Sequence, residues 1–305
     1  VQLHTGSITD LLSLRAAVVG VDFVFHLAGM TKSLRKQSLW DVNESGSRNI
    51  AQVCAEVETP PTLIAVSSLA AGGPVVPLQI GETVPAGQSA QGYRIRRETD
   101  VPQPVSNYGR SKLAGEQAIL EFAGTVPISI VRPPIVLGPA DRDGLEMFRL
   151  VAHRGVHLVP GWGTSLFSVI HVDDLASTLS AVALHGERCQ VSAESAQGIY
   201  FTGDPQIVSY ADLGKMIGEA IGAKFVRCVR VPPRIVRAVA LVNQGISYLR
   251  GQPHILGIDK SREATARGWA CDSARLQRDC AVTFPINLQS RLHQTADWYR
   301  ASGWL

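Results

Sequence analysis

Tyr108 and Lys112 stand four residues apart in Ser106-Asn107-Tyr108-Gly109-Arg110-Ser111-Lys112, a spacing that puts a phenol and an ammonium on one helix face. A free phenol titrates near pH ~10, too high for a base at neutral pH. A neighbouring positive charge favours the phenolate and draws that value down, so that Tyr108 could take a proton from an alcohol or give one to a ketone. Alone, such a pair often arises by chance on an exposed helix face. It gains weight from Ser67-Ser68, at the end of the apolar run Thr62 to Ser67, because open α/β sheets bind ligands at the carboxyl ends of their strands. There Ser68 would donate a hydrogen bond to a substrate oxygen on which charge develops.

The elements that must position these groups alternate in type. Short apolar runs at Val21 to Leu27, Thr62 to Ser67, Pro127 to Arg132 and Ile199 to Thr202 are each followed by helical periodicity, the pattern of a parallel α/β sheet. Helices are expected from Thr9-Asp10 onward, from about Trp40 to Glu56, and from Asn107 to Phe122. Beyond Gly138-Pro139 they are expected at Leu145 to His153, Asp174 to His185, Tyr210 to Ile221, Pro233 to Leu249 and Leu288 to Ala301. The polar stretch Gly72 to Ser106 is too long for a turn and reads as an active-site loop. These elements divide the chain into a nucleotide-type sheet domain, 1–140 and 169–203, and a smaller, mostly helical substrate domain, 141–168 and 204–305.

The 305 residues carry 29 Lys+Arg against 26 Asp+Glu, a net charge of +3 spread along the chain, which gives no footprint for nucleic acid. Five cysteines without a CxxC pair read as reduced thiols of a cytoplasmic protein and provide no metal framework. No segment approaches the roughly 18 apolar residues of a membrane span. The helix 233–249, with Ala238 to Val242 between Arg237 and Arg250, is either a peripheral membrane contact or a packing helix.

With their neighbours these residues resemble the extended short-chain dehydrogenase/reductase family, also called the NAD-dependent epimerase/dehydratase family. The resemblance covers nearly the whole chain. It rests, in the family's order, on Gly6-Ser7-Ile8-Thr9-Asp10, Phe25-His26-Leu27-Ala28-Gly29, Asn43-Glu44-Ser45-Gly46-Ser47, Ser67-Ser68-Leu69-Ala70-Ala71, Tyr108 to Lys112, Arg132-Pro133-Pro134-Ile135-Val136-Leu137-Gly138-Pro139 and His171-Val172-Asp173-Asp174-Leu175. It implies a Rossmann-like doubly wound parallel sheet, an enzyme, and NAD or NADP as cofactor. Ser68, Tyr108 and Lys112 would be its catalytic triad, with Lys112 also holding the nicotinamide ribose. Cofactor contacts would come from Ser7, Ile8, Leu27, Ala28, Gly29, Lys32, Asn43, Val66, Ser67, Tyr108, Lys112, Arg132, Pro133, Pro134 and Val136. Asp173-Asp174 is taken as structural, a helix N-cap. The family often pairs subunits through the helix that carries the Tyr, which would place Leu113, Ala114 and Ala118 in a homodimer contact.

The chain departs from the family at its start. The family opens with a strand, a Gly-rich turn and a helix that binds the pyrophosphate. No G-x-x-G-x-x-G is present, and Val1 to His4 match the family's third strand, so the sequence reads as an N-terminally truncated fragment. Ser7 stands where an acid usually contacts adenine, and the residues that choose between NAD and NADP are not in the sequence.

For the substrate, Phe167 occupies the place of an Arg that pairs with the diphosphate in nucleotide-sugar members. Trp162 and Phe167, with Leu69 and Met147, suit an apolar molecule such as a steroid, flavonoid or terpenoid, as in the 3β-hydroxysteroid dehydrogenase and dihydroflavonol reductase members. The leading expectation is an NAD(P)-dependent oxidoreductase that interconverts a secondary alcohol and a ketone on such a small molecule. A nucleotide-sugar epimerase or dehydratase is the alternative, with Arg142, Arg149 or Arg154 on the phosphates. Against a dehydratase, Leu69-Ala70 follow Ser68 where an Asp-Glu pair would stand. A non-catalytic NAD(P)-binding or assembly protein is opposed by the intact Ser68, Tyr108 and Lys112.

Overall fold

Four of the apolar runs pair in parallel, in the order Phe23–His26, Thr62–Val66, Ile128–Arg132 and Ile199–Phe201. The computed structural model describes residues 2–161, 165–191, 196–251 and 257–305. The two middle strands are mostly apolar, Thr62, Ser129 and Arg132 apart, because both faces of the sheet are covered. Leu63, Ala65, Ile128 and Ile130 meet Val18, Ile50, Val53 and Ile119 from the helices Leu11–Val18, Gly46–Ala55 and Asn107–Leu120. From the other side, Ile64, Val131 and Tyr200 meet Leu175, Val182 and Leu276 of Val172–His185 and Ala274–Cys280. Helices on both faces make the sheet doubly wound.

The helix expected from about Trp40 to Glu56 is a longer helical stretch in three pieces. An α-helical segment, Lys36–Trp40, runs through a π-helical turn, Asp41–Ser45, into Gly46–Ala55. Such a turn holds one residue more than an α-turn and is frequent at functional sites.

The second region is built on the helices Arg142–Arg154, Tyr210–Ala220 and Leu288–Ala301, around Phe148, Leu213, Ile217, Leu292 and Tyr299. Short strand pairs join them: Val156–Pro160 runs parallel to Arg227–Val231, and Leu166–Phe167 antiparallel to Val208–Ser209. Helix Arg142–Arg154 starts at Asp141, whose carboxylate accepts from the N–H groups of Asp143 and Gly144. It stops at Gly155, whose φ of 60° is left-handed.

Three expectations change. Gln2 to His4 form no strand, since a strand needs a hydrogen-bonding neighbour and none lies beside them among the described residues. Gly72 to Ser106 is no open loop. Its strands Val76–Pro77, Ser89–Ala90 and Tyr93–Arg94 form a small sheet, held by Arg94 on Asp100 and by the buried Arg96 on the carbonyls of Pro74 and Val101. The helix expected at Asp174 begins at Val172, so Asp174 lies inside its first turn, where it forms a buried ion pair with Arg291.

Candidate active site

The Tyr-bearing helix Asn107–Leu120 lies so close to its neighbours that only glycine fits at two contacts. A Cβ on Gly109 would stand 2.4 Å from the carbonyl oxygen of Ala70, and one on Gly115 2.0 Å from that of Asn43. One turn from Lys112, the buried Glu116 accepts from Ser67 Oγ and from Arg132, whose Nε and Nη2 reach it at 2.9 and 2.6 Å. Both partners of this pair are 3% exposed. Arg132, expected beside the cofactor, directs Nε and Nη2 at Glu116 and lies over the ring of Phe201.

Ser68 and Tyr108 come together. Ser68 caps the short helix Leu69–Gly72 by accepting from the Ala70 N–H at 3.1 Å, and it lies close enough to the Tyr108 phenol to draw its pKa down. Burial pushes the Tyr108 phenol above its ordinary value, with Ser68 and the charge of Lys260 pulling it back and Glu263 opposing them. Lys112 lies one helical turn beyond Tyr108 and is buried. Its Nζ donates to the Val66 carbonyl at 2.7 Å, and burial lowers its pKa to about 8 against the pull of Glu116. Lys260, from the helix Ile258–Ala264, adds a positive charge near Tyr108.

Asn43 sits in the π-turn and ties three parts together. Its Oδ1 accepts from the Met30 N–H at 2.7 Å, and its Nδ2 donates to the Met30 carbonyl and to Ser111 Oγ, both at 2.9 Å. Below it, His26 Nε2 meets Ser47 Oγ at 3.0 Å, and burial, with Lys112 second, lowers the imidazole to about 4. Leu27, Ala28 and Gly29 lie exposed at the strand end. A Cβ on Gly29 would stand 3.4 Å from Asn43 Oδ1 and 3.5 Å from Lys112 Nζ, so the glycine keeps this cradle open to a flat ring or ribose. These residues fit a nicotinamide nucleotide.

The other expected contacts are scattered. Ser7 bonds Thr9 in an exposed turn, and the Ile8 carbonyl accepts from Asn49. Lys32 reaches Asp143 at 3.1 Å, and both line the groove. The Pro133 carbonyl accepts from the Leu69 N–H, Pro134 lies beside Gly203, and Val136 pairs with Ile170.

Above Tyr108 a groove of about 370 Å³ runs between Lys32, Lys36 and Asp143 on one side and Gln244, Tyr248 and Lys260 on the other. Of the expected substrate residues, Leu69 is buried against Phe201 and Cys271, so it does not line this groove. Phe167 packs on Tyr210 at 4.9 Å, and Met147 receives the Tyr210 hydroxyl. Trp162 lies outside the described residues. Arg149 bonds the Trp304 carbonyl and Arg142 covers the Trp304 ring; with Arg154, they lie away from the groove. On the Tyr-bearing helix, Ala118 is buried within the subunit and so is not on a free face.

The helix Ile258–Ala264 supplies what the sequence reading missed. Asp259 accepts from the N–H groups of Asn107 and Tyr108 at 2.7 and 3.2 Å, and Glu263 accepts from Ser106 Oγ at 2.5 Å. A carboxylate at a helix N-terminus satisfies free donors and meets the positive end of the dipole. The one available signal was Asp259-x-x-x-Glu263, a spacing that puts both acids on one helix face.

Parallel strands whose carboxyl ends open onto a tyrosine with a serine beside it, next to a cradle for a nicotinamide ribose, define an NAD(P)-dependent enzyme of the reductase and dehydratase class. The NAD-binding family described as male sterility protein matches residues 13–175. A ceramide reductase of Caulobacter vibrioides is 31% identical over 308 residues, covering 100% of this chain and 82% of its own. A dTDP-4-keto-6-deoxy-D-glucose reductase of Streptomyces niveus is 28% identical over 276 residues, covering 86% of this chain and 80% of its own. A dTDP-glucose 4,6-dehydratase of Streptomyces venezuelae, solved with NAD bound, shares the fold with a TM-score of 0.69 at 16% identity, over 98% of this chain and 80% of that one. The chain belongs to the extended short-chain dehydrogenase/reductase family, whose cofactor is NAD or NADP.

Proposed function

We propose that this protein reduces a ketone to a secondary alcohol on a long-chain, ceramide-like lipid. The observation that carries the reading is the Tyr108 phenol lining the groove with Ser68 beside it. Because burial holds the phenol protonated at neutral pH, Tyr108 suits a proton donor to a ketone oxygen, which favours the reductive direction. Ser68 Oγ orients that oxygen, and Lys260 balances the negative charge left on Tyr108. Lys112 and Asn43 hold the ribose and the strand-end loop. The bound nicotinamide supplies the hydride. The likeness to a ceramide reductase along the whole chain supports a lipid, and so does the apolar helix that walls the groove.

The test follows reduced-nicotinamide absorbance with the protein, NADPH or NADH, and a detergent-dispersed long-chain N-acyl amino ketone. Oxidation by the wild type, lost in Tyr108→Phe with cofactor binding kept, is the expected result. A second reading, reduction of a nucleotide-linked keto sugar, is favoured by Lys32, Lys36 and Lys260 around the groove and by the Streptomyces niveus relative. Turnover of a dTDP-keto sugar with no oxidation on the lipid would replace the first reading by the second.

A further inference from the structure

The Pro233–Arg250 helix has two unlike faces. Val236, Ala240 and Ser247, spaced by four and then seven residues, fall on one face and are buried. On the outer side Ile235, Val239, Leu241, Val242 and Leu249 are exposed, Val242 by 63% and Leu249 by 89%. A continuous apolar strip of this kind marks a contact surface.

Along this part of the chain the charge has one sign. Between Glu219 and Asp259 the sequence has no acidic residue, but it has Lys224, Arg227, Arg230, Arg234, Arg237 and Arg250. None of these side chains makes an ion pair among the described residues. Elsewhere some exposed arginines are paired, Arg15 with Glu56, Arg48 with Glu121 and Arg300 with Asp297, and the unpaired ones, such as Arg35, Arg110 and Arg154, are spread far apart along the chain. Arg237 also borders, with Arg262 and Arg267, an open cavity of about 490 Å³ that brings guanidinium groups to one opening beside the helix. Among the described residues no helix is long and apolar enough to cross a membrane.

We infer that this helix lies along an anionic bilayer, with its apolar strip at the acyl boundary and its arginines among the headgroup phosphates. Gln244 and Tyr248 of the same helix wall the groove above Tyr108, so a lipid leaving the bilayer along the helix arrives at the reacting group. A second copy of the chain fits the face poorly. A twofold contact would bring these unpaired cations against their own symmetry mates.

The test is co-sedimentation of the full chain with vesicles of phosphatidylglycerol and, separately, of phosphatidylcholine, at low and high salt. Binding to the anionic vesicles alone, weakened by salt and abolished by Val242→Glu, is expected. Arg234→Gln and Arg237→Gln should each lower partitioning about fivefold, and all three changes are at exposed positions where the melting temperature should hold. Equal binding to both vesicles, no binding, or binding kept by Val242→Glu would overturn the inference. So would a dimer in sedimentation velocity that Val242→Glu dissolves, which would give the face to a second copy. No substrate or cofactor enters the experiment, so its failure leaves the oxidoreductase reading standing, and the reverse holds as well.

Discussion

Tyr108 lies between two walls that are made differently, the sheet beneath it and the helices beside the groove above it. On the sheet side, Ser67, Glu116, Arg132, Asn43 and Ser111 are buried, and each is held by hydrogen bonds from two or more elements. On the helical side, Asp259, Lys260 and Arg262 are paired but in contact with water, and the long helix beside them shows its apolar strip to the outside. A buried, fully partnered network has one arrangement, because any other leaves a charge or donor without a partner in low dielectric. A solvated wall can shift at small cost. The first therefore fixes where the proton moves, and the second governs how substrate reaches it.

Substitutions on the two walls should break that contrast in graded steps. The largest effect is chemical: Tyr108→Phe should lower turnover about 100- to 10,000-fold with unfolding unchanged, read by single-turnover kinetics and a denaturant curve. Next comes Glu116→Ala, which strands a buried guanidinium and should cost about 3–5 kcal/mol in urea unfolding. A loss below about 1 kcal/mol would make the two walls equivalent.

A pH effect of similar size belongs to His26. Its imidazole titrates at about 4 in the fold and near 6.5 when unfolded, so below pH ~6.5 the unfolded chain takes up a proton that the folded chain refuses. The contribution is present above 6.5 and is lost as pH falls toward 4, by about 3 kcal/mol in all. His26→Gln should flatten the acid limb of the melting profile; an unchanged limb would show that this residue is not its source. The smallest effect lies on the solvated wall, where Asp259→Ala removes a cap from the Tyr-bearing helix and should cost about 1 kcal/mol. A loss of turnover larger than that stability loss would assign Asp259 a part in positioning Tyr108.

The same contrast explains what could be read in the sequence. The four sheet strands and the helix Leu288–Ala301 follow from apolar periodicity, and Ser68 and Tyr108 meet because each lies in a contiguous motif at a strand or helix end. Glu116 needed only the helix period from Lys112 to be placed on the same face. Lys260 and Asp259 approach Tyr108 and Asn107 across some 150 residues of chain, a distance over which local pattern carries no signal. Leu69 illustrates the reverse error. It follows Ser68 directly, yet a one-residue step along the chain turns it into the core.

The π-turn at Asp41–Ser45 makes this stretch intolerant of changes in length. An α-helix turns each residue by about 100° relative to the last, so a helix that holds one extra residue keeps its two ends in phase only while that residue is present. Deleting any one position there would let the helix close into regular α geometry and swing Lys36 and Leu39 by about 100° out of the groove. Substitutions in this turn can be absorbed one at a time; a codon lost from it would re-aim one side of the active site in a single step.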